Sequence, residues 1–140
     1  MAARSKARKR AVDVLYEAEL RGGDRLEVLR ERIAEGNPPV PEHAVRLVEG
    51  VAEHGGRIDE LIGRHVSGWT LERLPDVDRA ILRMATFELL WAEDVPDAVV
   101  IDEAVELAKA LSTDESPAYV NGVLGAILQA EVPSQGLPKA

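Results

Sequence analysis

Apolar residues recur along this chain at intervals of three and four, the repeat of one face of an α-helix, and no stretch alternates as a half-buried strand would. Ala7, Ala11, Val14, Leu15 and Ala18 set the first stripe and predict an amphipathic helix from Arg4 to about Arg21, ended by Gly22-Gly23. Leu26, Leu29 and Ile33 predict a shorter helix from about Asp24 to Glu35, which Gly36-Asn37-Pro38-Pro39 breaks. A third follows Pro41 on Val45, Val48, Val51 and Ala52. Gly55-Gly56 is expected to interrupt it, with a fourth carried by Ile58, Leu61, Ile62 and His65. Trp69 falls in a short connector with Thr70 as its candidate cap.

The densest pattern runs from Asp76 to about Glu93. Val77, Ile81, Met84, Ala85 and Leu89 form one stripe, and Ala80, Leu82, Phe87, Leu90 and Trp91 widen it nearly all round, which predicts a central helix. Val95-Pro96 ends it. The β-branched run Val99-Val100-Ile101 is expected to be extended or frayed before a helix on Ala104, Val105, Leu107, Ala108 and Leu111. The last helix is expected from Ser116-Pro117, with Ser as N-cap and Pro at the first helical position, to about Ala130. Gly122 and Gly125 inside it each cost about 1 kcal/mol relative to Ala, which implies close packing against a neighbour. Asn121 is expected to bond a nearby backbone. The pattern therefore predicts an all-α chain of about seven helices, one domain over residues 1–132 and a disordered tail over 133–140.

Charge changes this picture at one end. The chain carries −8 overall, yet its first ten residues carry +5 from Arg4, Lys6, Arg8, Lys9 and Arg10, so the remaining 130 carry −13. A short cationic segment on an acidic body suits a polyanion contact confined to that end, since Lys and Arg bind phosphates by Coulomb attraction and counterion release. A solvated basic terminus is the alternative. There is no Cys, which removes disulfides, thiolate metal sites and a Cys nucleophile. No apolar run is long enough to span a bilayer and no signal-type core follows the basic start, so a cytoplasmic, unprocessed chain without membrane contact is expected.

Candidate chemistry is sparse. Tyr16 lies two turns past Arg8-Lys9, where an exposed ring could stack a splayed base or simply sit half-buried. The start of the last helix offers orphan amides, the Ser116 hydroxyl and the Tyr119 ring, while Asp114 and Glu115 oppose a phosphate but could accept from base amines. His43, His54 and His65 are scattered, and Asp102, Glu103 and Glu106 read as a solvated acidic face. No P-loop, GxGxxG, nucleophile elbow or paired-carboxylate motif occurs, so neither catalysis nor a cofactor nor a metal is expected.

Three segments resemble the NusB family of transcription antitermination factors: RKRAVDVLYEAEL (Arg8 to Leu20), VDRAILRMATFELL (Val77 to Leu90) and VPDAVVIDEAVELAKALSTDESPAYVNGVLGAI (Val95 to Ile127). Their order and spacing agree with that family from about Arg4 to Leu128. The resemblance implies two packed helical subdomains and an RNA-binding adaptor that, with the small-subunit ribosomal protein NusE, binds boxA RNA and joins an antitermination complex on RNA polymerase. Carried over by position, the RNA surface comprises Arg4, Lys6, Arg8, Lys9, Arg10, Tyr16, Glu115, Ser116 and Tyr119. Asp78 matches a partner-binding position, with Arg79 and Arg83 beside it. Monomer and homodimer both stay open. A protein-binding helical scaffold and a stand-alone relative of the helical module of ribosomal RNA methyltransferases are the competing readings, the latter without the Cys that catalysis there would need.

Overall fold

The computed structural model describes residues 2–66, 68 and 70–132. The expected connector residue Trp69 and the tail expected from Pro133 lie outside the described residues. Among the described residues six α-helices form: α1 (Ala3–Arg21), α2 (Arg25–Glu35), α3 (Glu42–His65), α4 (Asp76–Trp91), α5 (Asp97–Leu111) and α6 (Ser116–Glu131), with a 3-10 turn at Leu71–Arg73 between α3 and α4. None is long and apolar enough to cross a membrane.

Glycine and aspartate do the local work between the first two helices. Gly22 takes the left-handed conformation at φ 63°, and the Gly22 and Gly23 amides donate to the Glu19 and Ala18 carbonyls, closing the end of α1. The Asp24 carboxylate then accepts from the Leu26 amide at 2.8 Å and caps α2.

Two expected boundaries move, both because burial outweighs local preference. The interruption expected at Gly55-Gly56 falls one residue earlier, as a kink with non-helical backbone at His54 (φ −105°, ψ 16°) inside residues 42–65, so two expected helices join in one kinked element and six stand where about seven were expected. Val48 and Val51 before the kink and Ile58, Leu61 and Ile62 after it are all fully buried. Burying one such side chain contributes roughly 1.5–3 kcal/mol, more than a helical Gly costs. The His54 ring stacks on Trp91 with centroids 4.1 Å apart, holding the kink against α4. The Val99-Val100-Ile101 run is helical within α5. Val100, Ala104, Leu107 and Ala108 are buried at helical spacing and override the weak helix propensity of the β-branched run.

α1, α2 and α3 pack on one another, as do α4, α5 and α6, and α4 also touches α1 and α3. A single hydrophobic cluster draws on all six helices. The central role expected of α4 follows: Ala80, Ile81, Leu82, Met84, Ala85, Leu89 and Leu90 are all buried. Gly50 on α3 is where the chain needs glycine for space, since a Cβ there would lie 2.2 Å from the Phe87 ring. Gly122 and Gly125 are different from expectation. Neither Cβ position has a neighbour within 4 Å, and Asn121 is exposed, so this part of α6 faces solvent and close packing does not explain its glycines.

Candidate nucleic-acid interface

The basic run of α1 is divided by helix geometry. Lys6 and Lys9 face solvent, with Lys9 3.8 Å from Asp13 one turn on. Arg4 is exposed and bonds Asp94 at 3.1 Å, and half-buried Arg10 donates to the Pro38 carbonyl at 3.2 Å. Arg46 also grips Asp94 through two bonds of 2.8 and 3.1 Å. The Arg46 and Arg4 guanidiniums hold that carboxyl well below the usual carboxylate range.

Arg8 departs from the expectation. It is 2% exposed, and its guanidinium meets the buried Glu88 carboxylate in a bidentate pair at 2.7 and 2.9 Å, with Glu103 at 3.4 Å. His43 joins from α3, its ring nitrogen 3.3 Å from Glu88. Burial pushes the Glu88 carboxyl up, but the hydrogen bonds from His43 and Arg8 outweigh it and leave the group below its ordinary value. Arg8 therefore leaves the outward cationic set. The signal was in the sequence: Arg8 precedes Val12 and Leu15 by four and seven residues and so lies on the apolar stripe, while Glu88 sits inside the helix whose apolar residues widen nearly all round.

The other expected cluster forms at the start of α4. A pocket of about 400 Å³ has Leu74, Pro75 and Tyr119 as its apolar lining and Asp78, Thr113, Glu115 and Ser116 as its polar side. Ser116 does not cap α6. Glu115 holds the cap position without a side-chain cap bond, and Ser116 is the first helical residue, 2% exposed. Its hydroxyl donates to Asp78 Oδ2 at 2.8 Å, while the Ser112 hydroxyl donates to Oδ1 at 2.5 Å. Glu115 is exposed, and Tyr119 and Tyr16 are half-buried.

The residues expected to meet a partner turn inward. Asp78 is 3% exposed and occupied by the two serines. Arg79 donates to the Leu71 and Leu74 carbonyls at 3.0 Å, pairs with Glu19 at 2.7 Å and bonds Asp76. Arg83 grips Asp59 at 2.8 and 3.2 Å. A helix covered on nearly all sides has to satisfy its charges internally, because a buried unpaired charge is strongly unfavourable.

α4 relates the two clusters. Arg8 lies opposite Glu88 and Glu19 opposite Arg79, so α1 runs antiparallel to α4. Asp78 and Glu88 are separated by ten helical residues, about 15 Å along the axis. Tyr16, three residues before Glu19, lies toward the same end of α4 as Ser116, and the outward cations Lys6 and Lys9 lie toward the other. The arrangement offers phosphate-binding charge at one end and rings and carboxylates suited to base edges at the other. Among the described residues no group of His, Asp and Glu is arranged to hold a metal ion.

Comparison with known proteins is consistent along most of the chain. Residues 5–129 match the NusB family. The transcription antitermination protein NusB of Saccharopolyspora erythraea is 63% identical over 129 residues, covering 91% of this chain and 87% of that protein. Among solved structures, T. maritima NusB superposes with a TM-score of 0.85 at 38% identity, covering 96% of both chains. A chain in the crystal structure of antitermination factors NusB and NusE in complex with dsRNA superposes with a TM-score of 0.79 at 32% identity, covering 91% of this chain and 96% of that one.

Proposed function

The chain belongs to the NusB family, and from that premise we propose that it is an RNA-binding antitermination adaptor. It binds boxA RNA together with NusE in the cytoplasm and joins the antitermination complex on RNA polymerase, notably in ribosomal RNA operons. It acts by binding rather than by catalysis. The observation that carries the reading is the family match from α1 to α6, which includes the segments that bear the outward cations and the Ser116–Tyr119 pocket.

In this reading Arg4, Lys6, Lys9 and Arg10 contact phosphates, Tyr16 and Tyr119 stack bases, and Glu115 accepts from a base amine. The acidic remainder of the surface repels RNA, so the free protein binds weakly and NusE strengthens binding. Coupling of this kind is typically about 1–3 kcal/mol and reciprocal. Fluorescence anisotropy of labelled boxA RNA, with and without NusE and across several salt concentrations, tests it. Four phosphate contacts at about −0.7 each give a slope of log K against log salt no steeper than about −2.8 without NusE. Equal RNA affinity with and without NusE would count against the proposal, as would binding that ignores salt.

A further inference from the structure

The carboxylate of Asp78 is buried at the first turn of α4, yet both its oxygens are used by another part of the chain. Ser112 closes α5 with non-helical backbone (φ −126°, ψ −157°), and Ser116 opens α6 four residues later. The two hydroxyls each have one proton. Ser112 gives its proton to Oδ1 and Ser116 gives its own to Oδ2. The Ser116 oxygen then accepts from the Thr113 amide at 3.3 Å and from the Thr113 hydroxyl at 2.7 Å. Every proton in the cluster has a destination under this assignment. The side-chain hydrogen bonds of Ser112, Thr113 and Ser116 that leave the turn all end on Asp78. Asp78 is thus the polar anchor of the turn that carries Glu115 and leads, one helical turn later, to Tyr119.

We propose that Asp78 is a positioning residue for RNA reading: by binding Ser112 and Ser116 it fixes the α5–α6 turn and so holds Glu115 and Tyr119 where they meet a base. The inference rests on the RNA-binding reading above. At 3% exposure the carboxylate acts through the turn rather than on RNA itself. An amide at position 78 would replace one acceptor by a donor: facing Ser116 it meets an oxygen that already accepts twice from Thr113, and facing Ser112 it deprives that hydroxyl's proton of its acceptor, so the cluster could not keep its present pairing. Removing the Ser112 hydroxyl alone would leave one of the two ties in place.

The test uses the full chain with Asp78→Asn and Ser112→Ala. Two readings are taken: amide hydrogen exchange over residues 113–119 in the free protein, and affinity for boxA RNA against a scrambled RNA of the same length. Asp78→Asn should speed exchange in the turn and lower boxA affinity about tenfold, the worth of roughly one good base contact. Affinity for scrambled RNA and the salt slope should stay unchanged, because phosphate contacts position and base contacts specify. Ser112→Ala should move both readings in the same direction by less, and it decides the matter if Asp78→Asn fails to fold. Unchanged exchange with an unchanged boxA preference would overturn the inference. So would a lowered boxA affinity with the turn's exchange unaltered, which would mean that Asp78 does not act through the turn. A wild-type chain with no preference for boxA would instead overturn the RNA reading, and this inference with it.

Discussion

Replacing Arg8 separates its structural role from the cationic role its neighbours play. Arg8→Met keeps an unbranched apolar stem and removes the guanidinium. Glu88, 1% exposed and 3.3 Å from His43, then loses two charge-assisted bonds of 2.7 and 2.9 Å. Breaking a buried pair by removing one partner costs about 3–5 kcal/mol, because the other charge stays desolvated. In a domain of roughly this size 1 kcal/mol moves the melting midpoint by about 2–4 °C, so a fall on the order of 10 °C is expected. Urea unfolding followed by far-UV circular dichroism gives the free energy directly. Adding Glu88→Leu to Arg8→Met should recover much of the loss, since apolar replacement of a whole buried pair is often neutral, and the double-mutant cycle then reports a large coupling. Lys9→Met, one residue along on a side chain about half exposed, should stay within about 0.5 kcal/mol of wild type. In RNA titrations the order reverses: Lys9→Met flattens the salt slope and Arg8→Met does not. An Arg8→Met protein of wild-type stability with a flattened slope would refute the reasoning, because it would mean that Arg8 faces RNA.

Two further outcomes follow from the packing. Gly50→Ala should destabilise the fold by about 1–3 kcal/mol through overlap with Phe87, whereas Gly122→Ala, in open space on a helix, should stabilise it by up to about 1 kcal/mol; chemical denaturation of both variants checks the contrast, and the same sign for both would contradict it. Acid should also act through Glu88, which faces Arg8, His43 and, across Arg8, Glu103. Its carboxyl lies below its ordinary 4.5 when folded, so its contribution is complete above that pH and is lost as pH falls through the lowered value. Unfolding free energy measured between neutral and acid pH should show a decline that Arg8→Met makes shallower; parallel curves for the two proteins would rule Glu88 out as its source.

Periodicity alone determined the helical class, the positions of α1, α2, α4 and α6 to within a few residues, and the burial of α4, because an apolar residue every third or fourth position has only one way to reach a core. The concentration of charge at the amino end was equally legible, as were the rings and carboxylates at the start of α6. Tertiary contacts decided the rest. Whether Gly55-Gly56 ends a helix or only accompanies a kink depends on Ile58, Leu61 and Ile62 finding the same core as Val48 and Val51. Whether Arg8 meets solvent or Glu88 depends on α1 lying antiparallel along α4 across eighty residues of sequence. The pairing of Asp78 with Ser112 and Ser116 likewise spans more than thirty residues. A charge's role is set by the partner that burial gives it. No local pattern names that partner, since Coulomb and hydrogen-bond energies depend on distance in space and not on separation along the chain.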